Sequence, residues 1–336
     1  MTHLHFAGRT RSWLSAAVLV AALACTPDKH PTAASASSPT PDSGNVVGTA
    51  APTTAADTLA PAVAPKPDTS FTFAPPAPEG GKLLGVVELG ASGLNSFIVR
   101  IDGKRRWRLE KSEYGNSLLL EGLTTQDDLQ RGVRAYVGEM LDYGVSTRDI
   151  HFVASSGAAK AANTTRLTAY LKTLGYPVVT VSAAQEGSFG LLAALPPSYA
   201  EKAFVVDIGS GNTKISWKSG DGFQSVETFG AKYYQTRVAD TVVAGDVRKI
   251  ARQVPEARRS VCFLLGGVPY ELAKQNRREK ERYTLLKAPT TYTLTGAKNQ
   301  AGITIYSAVA DATGCQRFVF DWDANFTIGY LLSLQK

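Results

Sequence analysis

The chain has 336 residues, of which 44% are hydrophobic and 19% are charged, and its formal net charge is +7. This length allows one large core or two lobes, and the basic balance favours anionic ligands. Aromatic residues are not interleaved with the Lys and Arg clusters, and Cys and His do not form a zinc pattern. The sequence therefore gives no basis for nucleic-acid binding or for a zinc site.

Residues 1–25 have the features of an export signal. Arg9 and Arg11 precede a twelve-residue segment, 13–24, in which only Ser15 is polar. That segment is too short to span a bilayer but suits the core of a signal peptide. It ends at Cys25, and a cysteine at that point is typical of a lipoprotein; the alternative is ordinary signal cleavage with Cys25 incidental. We therefore predict an exported protein, held in the periplasmic cell envelope by a lipid on Cys25.

Residues 26–79 are rich in Ala, Pro, Ser and Thr and contain few large apolar residues. Such a composition cannot bury enough apolar surface to offset the loss of chain entropy. We therefore predict a disordered linker over 26–79, which tethers the folded region 80–336 to the membrane.

Strands and helices alternate through residues 80–195. Apolar periodicity and turn residues predict strands at 83–88, 96–101, 106–109, 150–154 and 178–181, and helices at 125–143, 163–174 and up to 194. Hairpins followed by strand–helix crossovers give a mixed sheet. The sequence thus predicts an α/β lobe over 80–195.

The order of elements repeats in residues 196–336, which we predict to form a second lobe. Its predicted strands are 203–207, 213–218, 224–228, 261–265 and 317–320, with helices between the later strands and a final helix at 325–334.

One motif occurs in both halves. Residues 85–93 and 204–213 each contain an apolar run, an acid and a loop of small residues, and the two acids are Glu88 and Asp207. Glycines let backbone N–H groups turn towards an anion, and an acid at a strand end can hold a water or a metal. Ordinary turn formation is the alternative explanation of these residues. The duplication favours a binding site between the halves.

Further segments follow in the order and spacing of a known family. They are 153–156 followed by Asn163, 181–187, 206–213, the Gly266-Gly267 turn and 328–332. With the first hairpin, they resemble exopolyphosphatases and guanosine pentaphosphate phosphatases, of the actin and sugar-kinase superfamily, over nearly all of 83–335. The resemblance implies two actin-like (ribonuclease H-like) lobes, each a mixed sheet flanked by helices, with a cleft between them.

The resemblance also implies a site for phosphate chemistry in that cleft. Glu186 would orient the attacking water, and Asp207, with Glu88 as its counterpart, would hold Mg²⁺ or a water. From its position alone, Glu186 is better explained as an acid favoured in the first turn of a helix. The loop residues implied to bind phosphate are Gly90, Ser92, Gly93, Gly209, Ser210, Gly211, Asn212, Thr213 and Lys214.

Several residues depart from the family pattern. Glu88 stands where the family has Asp, and Lys214 stands where it has a second acid. If that acid helps to hold Mg²⁺, Lys214 weakens the metal site, because carboxylates are preferred Mg²⁺ ligands. Alternatively, Lys214 holds a phosphate as a point charge. The departures keep a basic cleft but lose ligands.

Two functions are compatible with this pattern. The first is a phosphohydrolase that releases terminal phosphate from inorganic polyphosphate or a related phosphoanhydride by water attack in the cleft. The alternative is a catalytically impaired lipoprotein that binds or senses such a ligand. Export from the cell disfavours the ATP-dependent functions of the superfamily, since ATP is scarce there.

Cys262 and Cys315 each begin a predicted strand of the second lobe. If these strands are parallel neighbours, an oxidising compartment would permit a disulfide between them. The alternative is two small buried hydrophobic residues.

Overall fold

The computed structural model describes residues 71–91, 93–115, 125–159 and 161–335. The predicted signal, the lipid attachment at Cys25, Ser92 of the first loop and the linker before residue 71 lie outside these residues and remain predictions. Among the described residues, no helix combines the length and the apolar character needed to cross a membrane.

The first sheet is built around the hairpin that carries Glu88. In the described residues it runs in the order β3-β2-β1-β4-β5, antiparallel through β3, β2 and β1 and parallel from β1 to β5. Its strands are β1 (Lys82–Gly90), β2 (Gly93–Ile101), β3 (Trp107–Tyr114), β4 (Ile150–Ala154) and β5 (Val178–Thr180).

The second sheet repeats this arrangement around the hairpin that carries Asp207. It runs in the order β10-β11-β9-β6-β7-β8, and β9 and β11 are parallel to β6. The edge strand β10 pairs antiparallel with β11 and was not predicted, because four residues are too few to show a period. The strands are β6 (Ala203–Ile208), β7 (Asn212–Ser219), β8 (Gly222–Phe229), β9 (Val261–Leu265), β10 (Tyr283–Leu286) and β11 (Phe318–Asp321).

The helices form layers outside and between the sheets. Two cover the outer face of the first sheet, α1 (Gln126–Asp142) and α2 (Ala162–Thr173). Three cover the outer face of the second sheet, α4 (Asp240–Ala251), α5 (Gly267–Lys274) and α6 (Ala297–Thr313). Two lie between the sheets, α3 (Ala183–Ala194) and α7 (Phe326–Ser333). The predicted fold class, two mixed sheets flanked by helices, is thereby confirmed.

Strand alternation supplies both faces of the first sheet with core residues. Val87 and Leu89 pack outward against α1 and α2, whereas Leu84 and Val86 pack inward towards α3 and α7. Each sheet is therefore buried on both faces, as expected where parallel strands are covered by helices.

The two inner helices are exchanged relative to the sequence halves. Helix α3 ends the first half but packs on β6, β7 and β8 of the second sheet, whereas α7 ends the chain and packs on β1 and β2. The helices also pack on each other, and Gly329 permits this because a Cβ there would collide with the carbonyl of Phe189. A boundary at residue 195 therefore separates the strands of the two sheets but not the helices that pack on them.

Residues 71–79 form a strap that crosses from one lobe to the other. Phe71 is buried, at 9% exposure, on the inner face of the second sheet. At the other end, the Glu79 N–H donates to Asp102 of the first lobe at 2.9 Å, and the Glu79 carboxylate pairs with Arg106 at 2.6 Å. This part of the predicted disordered linker therefore belongs to the folded unit, which begins no later than Phe71.

The two cysteines of the folded unit are free and buried. The strands β9 and β11 are parallel neighbours; Cys262 lies in β9 opposite Phe318, and Cys315 precedes β11. Burial raises the pKa of the Cys315 thiol to about 11. Both cysteines act as small hydrophobic residues of the second-lobe core.

Candidate functional site

The two acid–glycine hairpins face one cleft between the sheets. The cleft has a volume of about 540 Å³. The predicted loop residues that line it are Gly90, Gly93, Gly209, Ser210, Gly211, Asn212 and Lys214. Thr213 is fully buried and does not line the cleft, so its hydroxyl is not available to a ligand there.

The hairpins place equivalent residues at the cleft. Glu88 lies directly opposite Asn95 in the pairing of β1 with β2, and Asp207 lies directly opposite Lys214 in the pairing of β6 with β7. Directly opposed residues share a face of the sheet, so each acid meets its partner beside the loop. The duplicated motif thus presents an acid–amide pair from one lobe and an acid–lysine pair from the other.

The lobes touch where two turns meet. A Cβ on Gly211 would lie 2.9 Å from Cα of Gly157, which follows β4 in the first lobe. Beside it, the Asn212 side-chain amide donates to Ser156 Oγ at 3.0 Å and to Glu227 at 2.9 Å. Glycine at both positions permits this close approach of the two backbones.

Glu186 lies in the first turn of α3, which a capping box of Ser182 and Gln185 fixes at its N-terminus. Its carboxylate is buried and lines the cleft. Oε2 accepts hydrogen bonds from the backbone N–H and the hydroxyl of Ser156, at 2.9 and 2.5 Å. Oε1 forms an ion pair with Lys214. Both carboxylate oxygens therefore have partners.

Lys214 brings the second-lobe residues together. Its side chain is only 2% exposed. Besides the ion pair with Glu186, Nζ lies 3.5 Å from Asp207 Oδ2 and donates to Asn212 Oδ1 at 3.2 Å. An ammonium has three N–H donors, and here each has an acceptor within reach. The positive charge of Lys214 is therefore paired with carboxylates of the protein itself.

The charges of this cluster depend on one another. Burial alone would lower the pKa of Lys214, but the carboxylates of Asp207 and Glu186 outweigh it, and the pKa is raised. Burial raises the pKa of Asp207, Lys214 opposes this shift, and the charge of Glu186 adds to it. The lysine is therefore charged throughout the physiological pH range.

Glu88 occupies a different environment. Burial raises its pKa to about 7; the charges of Glu186 and Asp207 add to the shift, and hydrogen bonds from Asn95 and Asn325 oppose it. Both amides donate to Oε2, at 2.9 and 3.1 Å. Close to neutral pH, Glu88 therefore exists in both protonation states.

We expect Glu88→Gln to change how stability depends on pH. The folded state keeps the Glu88 proton up to a pKa of about 7, whereas the unfolded state releases it near 4.5, so the wild type loses stability as the pH rises between these values. The glutamine keeps an acceptor for the two amides. The variant should be more stable than the wild type by about 1–3 kcal/mol at pH 8 and by less than about 1 kcal/mol at pH 5, measured by urea unfolding.

Glu110→Gln is the matched control, because Glu110 accepts from Arg100 and Arg108. The net effect of its surroundings is a lowered pKa, in which the arginine hydrogen bonds and charges outweigh burial. Loss of the Glu110 charge should therefore destabilise the protein more at pH 8 than at acid pH. This change in stability is opposite in sign to the one expected for Glu88→Gln. A Glu88→Gln effect that is the same at both pH values would contradict the shifted pKa.

The predicted Mg²⁺ ligands do not form a fitting metal site. Among the described residues, no group of three or more His, Cys, Asp and Glu side chains could hold a metal ion. Asp207 faces the Lys214 ammonium, and the Glu88 oxygen Oε2 is occupied by two amide donors. A second cation beside the ammonium would be repelled, and Mg²⁺ requires several oxygen ligands in octahedral geometry.

Three residues of the site were missed by sequence reasoning. Ser156 holds Glu186, while Asn95 and Asn325 hold Glu88. Asn95 has a readable signal, because it is separated from Glu88 by the same seven positions that separate Lys214 from Asp207. Asn325 comes from the start of α7, and no local pattern connects it with β1.

The fold is that of solved phosphatase structures. A Ppx/GppA family member of Aquifex aeolicus superposes with a TM-score of 0.57 at 16% identity, over 75% of this chain and 97% of the other. An exopolyphosphatase of Cytophaga hutchinsonii superposes with a TM-score of 0.59 at 12% identity, over 76% of this chain and 98% of the other. The sequence matches no protein-family model and no curated protein. The resemblance predicted from the sequence is thus confirmed in the fold: the chain is built as Ppx/GppA exopolyphosphatase family members are, with a widely diverged sequence.

Proposed function

We propose that this protein binds the phosphate groups of inorganic polyphosphate, or of a related phosphoanhydride, in the cleft between its lobes, and hydrolyses them slowly or not at all. The observation that carries this proposal is the buried ion pair between Glu186 and Lys214 at the cleft. The predicted lipid on Cys25 would hold this binding site at the cell envelope.

The loops support binding of a phosphorylated ligand. Backbone from both glycine turns lines the same cleft, so one ligand can meet both lobes. Consecutive N–H groups of small-residue turns bind anions through partial charges that need no metal. Lys298 also lines the cleft, where its Nζ lies beside Gly267, and it adds a positive charge there. An elongated polyanion suits this arrangement better than a single phosphate.

The partners of Glu186 argue against rapid turnover. Hydrolysis requires a water that is positioned and deprotonated as it attacks the phosphorus, and a carboxylate does this through an oxygen lone pair. Here Ser156 donates twice to one oxygen, and Lys214 pairs with the other. A water would have to compete with these donors for Glu186.

Hydrolysis is the second candidate function, favoured by the position of Glu186. The residue lies in the cleft beside the turns of both lobes, where the resemblance implies the catalytic glutamate. In that case a water would attack a terminal phosphorus, the bridging P–O bond would break, and phosphate would be released.

Purified protein titrated with inorganic polyphosphate tests both candidates. We expect calorimetry to detect binding, and phosphate release to stay at the background rate. Ser210→Asp places a negative charge in the cleft, so we expect a loss of affinity of tenfold or more, about 1.4 kcal/mol. Ser219→Asp, at the exposed far end of the same hairpin, is the matched control and should change affinity less than twofold.

The outcomes separate the candidates. Steady phosphate release that disappears in Glu186→Gln would establish the hydrolase instead. Binding that is equally weakened by both aspartate variants would show non-specific charge attraction and would refute the cleft as the binding site.

A further inference from the structure

Lys214 holds the position in which a divalent metal would be expected. In the second hairpin, its ammonium contacts Glu186, lies 3.5 Å from Asp207 and donates to the Asn212 amide oxygen at 3.2 Å. Two carboxylates and an amide oxygen around one point are the oxygen ligands that a hard cation prefers. In this chain they surround a nitrogen that belongs to the protein.

Several elements of the fold hold Lys214 Nζ in place. A Cβ on Gly209 would lie 3.3 Å from Nζ, so the ammonium lies directly beneath the glycine turn. Lys214 is almost fully buried, and its carboxylate partners reach it from β6 and α3. A side chain held from three sides does not leave easily to make room for an ion.

We infer that Lys214 is a resident cation that replaces the divalent metal of this site, so that ligand binding at the second-lobe turn does not require a metal. The part of this inference that concerns the ligand rests on the proposed function. The part that concerns the metal does not, because it can be measured without any ligand.

Charge explains why one cation excludes the other. The ammonium pairs with the charges of Glu186 and Asp207, and because it is part of the protein a chelator cannot remove it. A divalent ion in the same space would meet a like charge within a few ångströms and would have to displace it. Removing the lysine charge leaves two buried carboxylates without their cation, and such a pair gains affinity for a metal.

Mn²⁺ titration followed by electron paramagnetic resonance tests the inference on the full chain without ligand. We expect no binding by the wild type up to about 1 mM, a range typical of weak oxygen sites. Lys214→Asp and Lys214→Met should each bind one Mn²⁺ at least tenfold more tightly than the wild type. Lys218→Asp, on the same strand but 37% exposed, is the matched control and should bind as the wild type does.

A second arm compares polyphosphate affinity of the wild type in EDTA and in Mg²⁺, where we expect less than a threefold difference. Wild-type protein that binds one Mn²⁺ below 1 mM, with binding lost in Asp207→Asn, would overturn the inference. So would folded Lys214 variants that gain no Mn²⁺ affinity. If both variants fail to fold, the wild-type titration alone decides. Failure of polyphosphate binding would refute the proposed function and leave the Mn²⁺ result standing.

Discussion

Lys214→Met should lower the free energy of unfolding by about 3–5 kcal/mol. The substitution keeps most of the side-chain volume but removes the ammonium, which leaves the buried Glu186 and the 13%-exposed Asp207 without their cation. Removing one partner of a buried ion pair has a cost of that size, because the remaining charge has lost its water and its counterion. Urea unfolding at pH 7.5, followed by circular dichroism, measures the change.

The double variant Lys214→Met with Glu186→Gln shows whether the lost stability comes from the ion pair between Lys214 and Glu186. It should recover at least 1 kcal/mol relative to Lys214→Met, because one of the unpaired carboxylates is then neutral. Lys218→Met is the control, since Lys218 pairs with the exposed Glu201 and should cost less than about 1 kcal/mol. If Lys214→Met and Lys218→Met lower the free energy of unfolding equally, the buried ion pair stabilises the protein no more than an exposed one.

Phe71→Ala should lower the free energy of unfolding by about 3–5 kcal/mol, although it lies in a stretch of linker-like composition. The Phe71 ring packs edge-on against Phe263 and Tyr283, with centroid distances of 5.6 and 5.2 Å, and it meets Tyr199 at 5.2 Å. The substitution therefore removes a large aromatic from a packed core and leaves a cavity between the sheets.

Thermal and urea unfolding of the full chain measure this loss. Phe223→Ala is the control, because that phenylalanine is 43% exposed and its truncation should cost less than about 1 kcal/mol. A Phe71→Ala protein that unfolds like the wild type would mean that the strap contributes nothing to the stability of the folded unit.

Most strands and helices were predictable from local sequence. The apolar runs of β1 and β6 and the glycine turns that follow them indicate two hairpins, and each hairpin fixes which side chains share a face. The strap was not predictable, because Ala and Pro dominate its surroundings and hide one buried phenylalanine. The exchange of α3 and α7 also lies beyond local patterns, since it depends on which apolar faces meet in the folded chain.

The charged residues of the candidate site were predictable, but their contacts and the polar residues that hold them were not. Glu88, Glu186, Asp207 and Lys214 do line one cleft. The hairpin register alone predicts that Asp207 and Lys214 lie directly opposite each other. The pairing of Lys214 with Glu186 joins a strand to a helix from the other half of the sequence, and only packing brings them together. That contact is the observation from which we propose that Lys214 takes the place of a metal ion rather than binding a phosphate.

The place of α7 in the chain has a consequence for biosynthesis. Phe326, Ile328 and Leu331 pack against the inner residues of the first sheet, yet they are translated after every strand of both sheets. Until α7 has been synthesised, the first sheet keeps part of its inner apolar face uncovered, so the nascent chain cannot complete its N-terminal lobe first, as chains with independent domains do. A message truncated before α7 would therefore damage the lobe that is synthesised first.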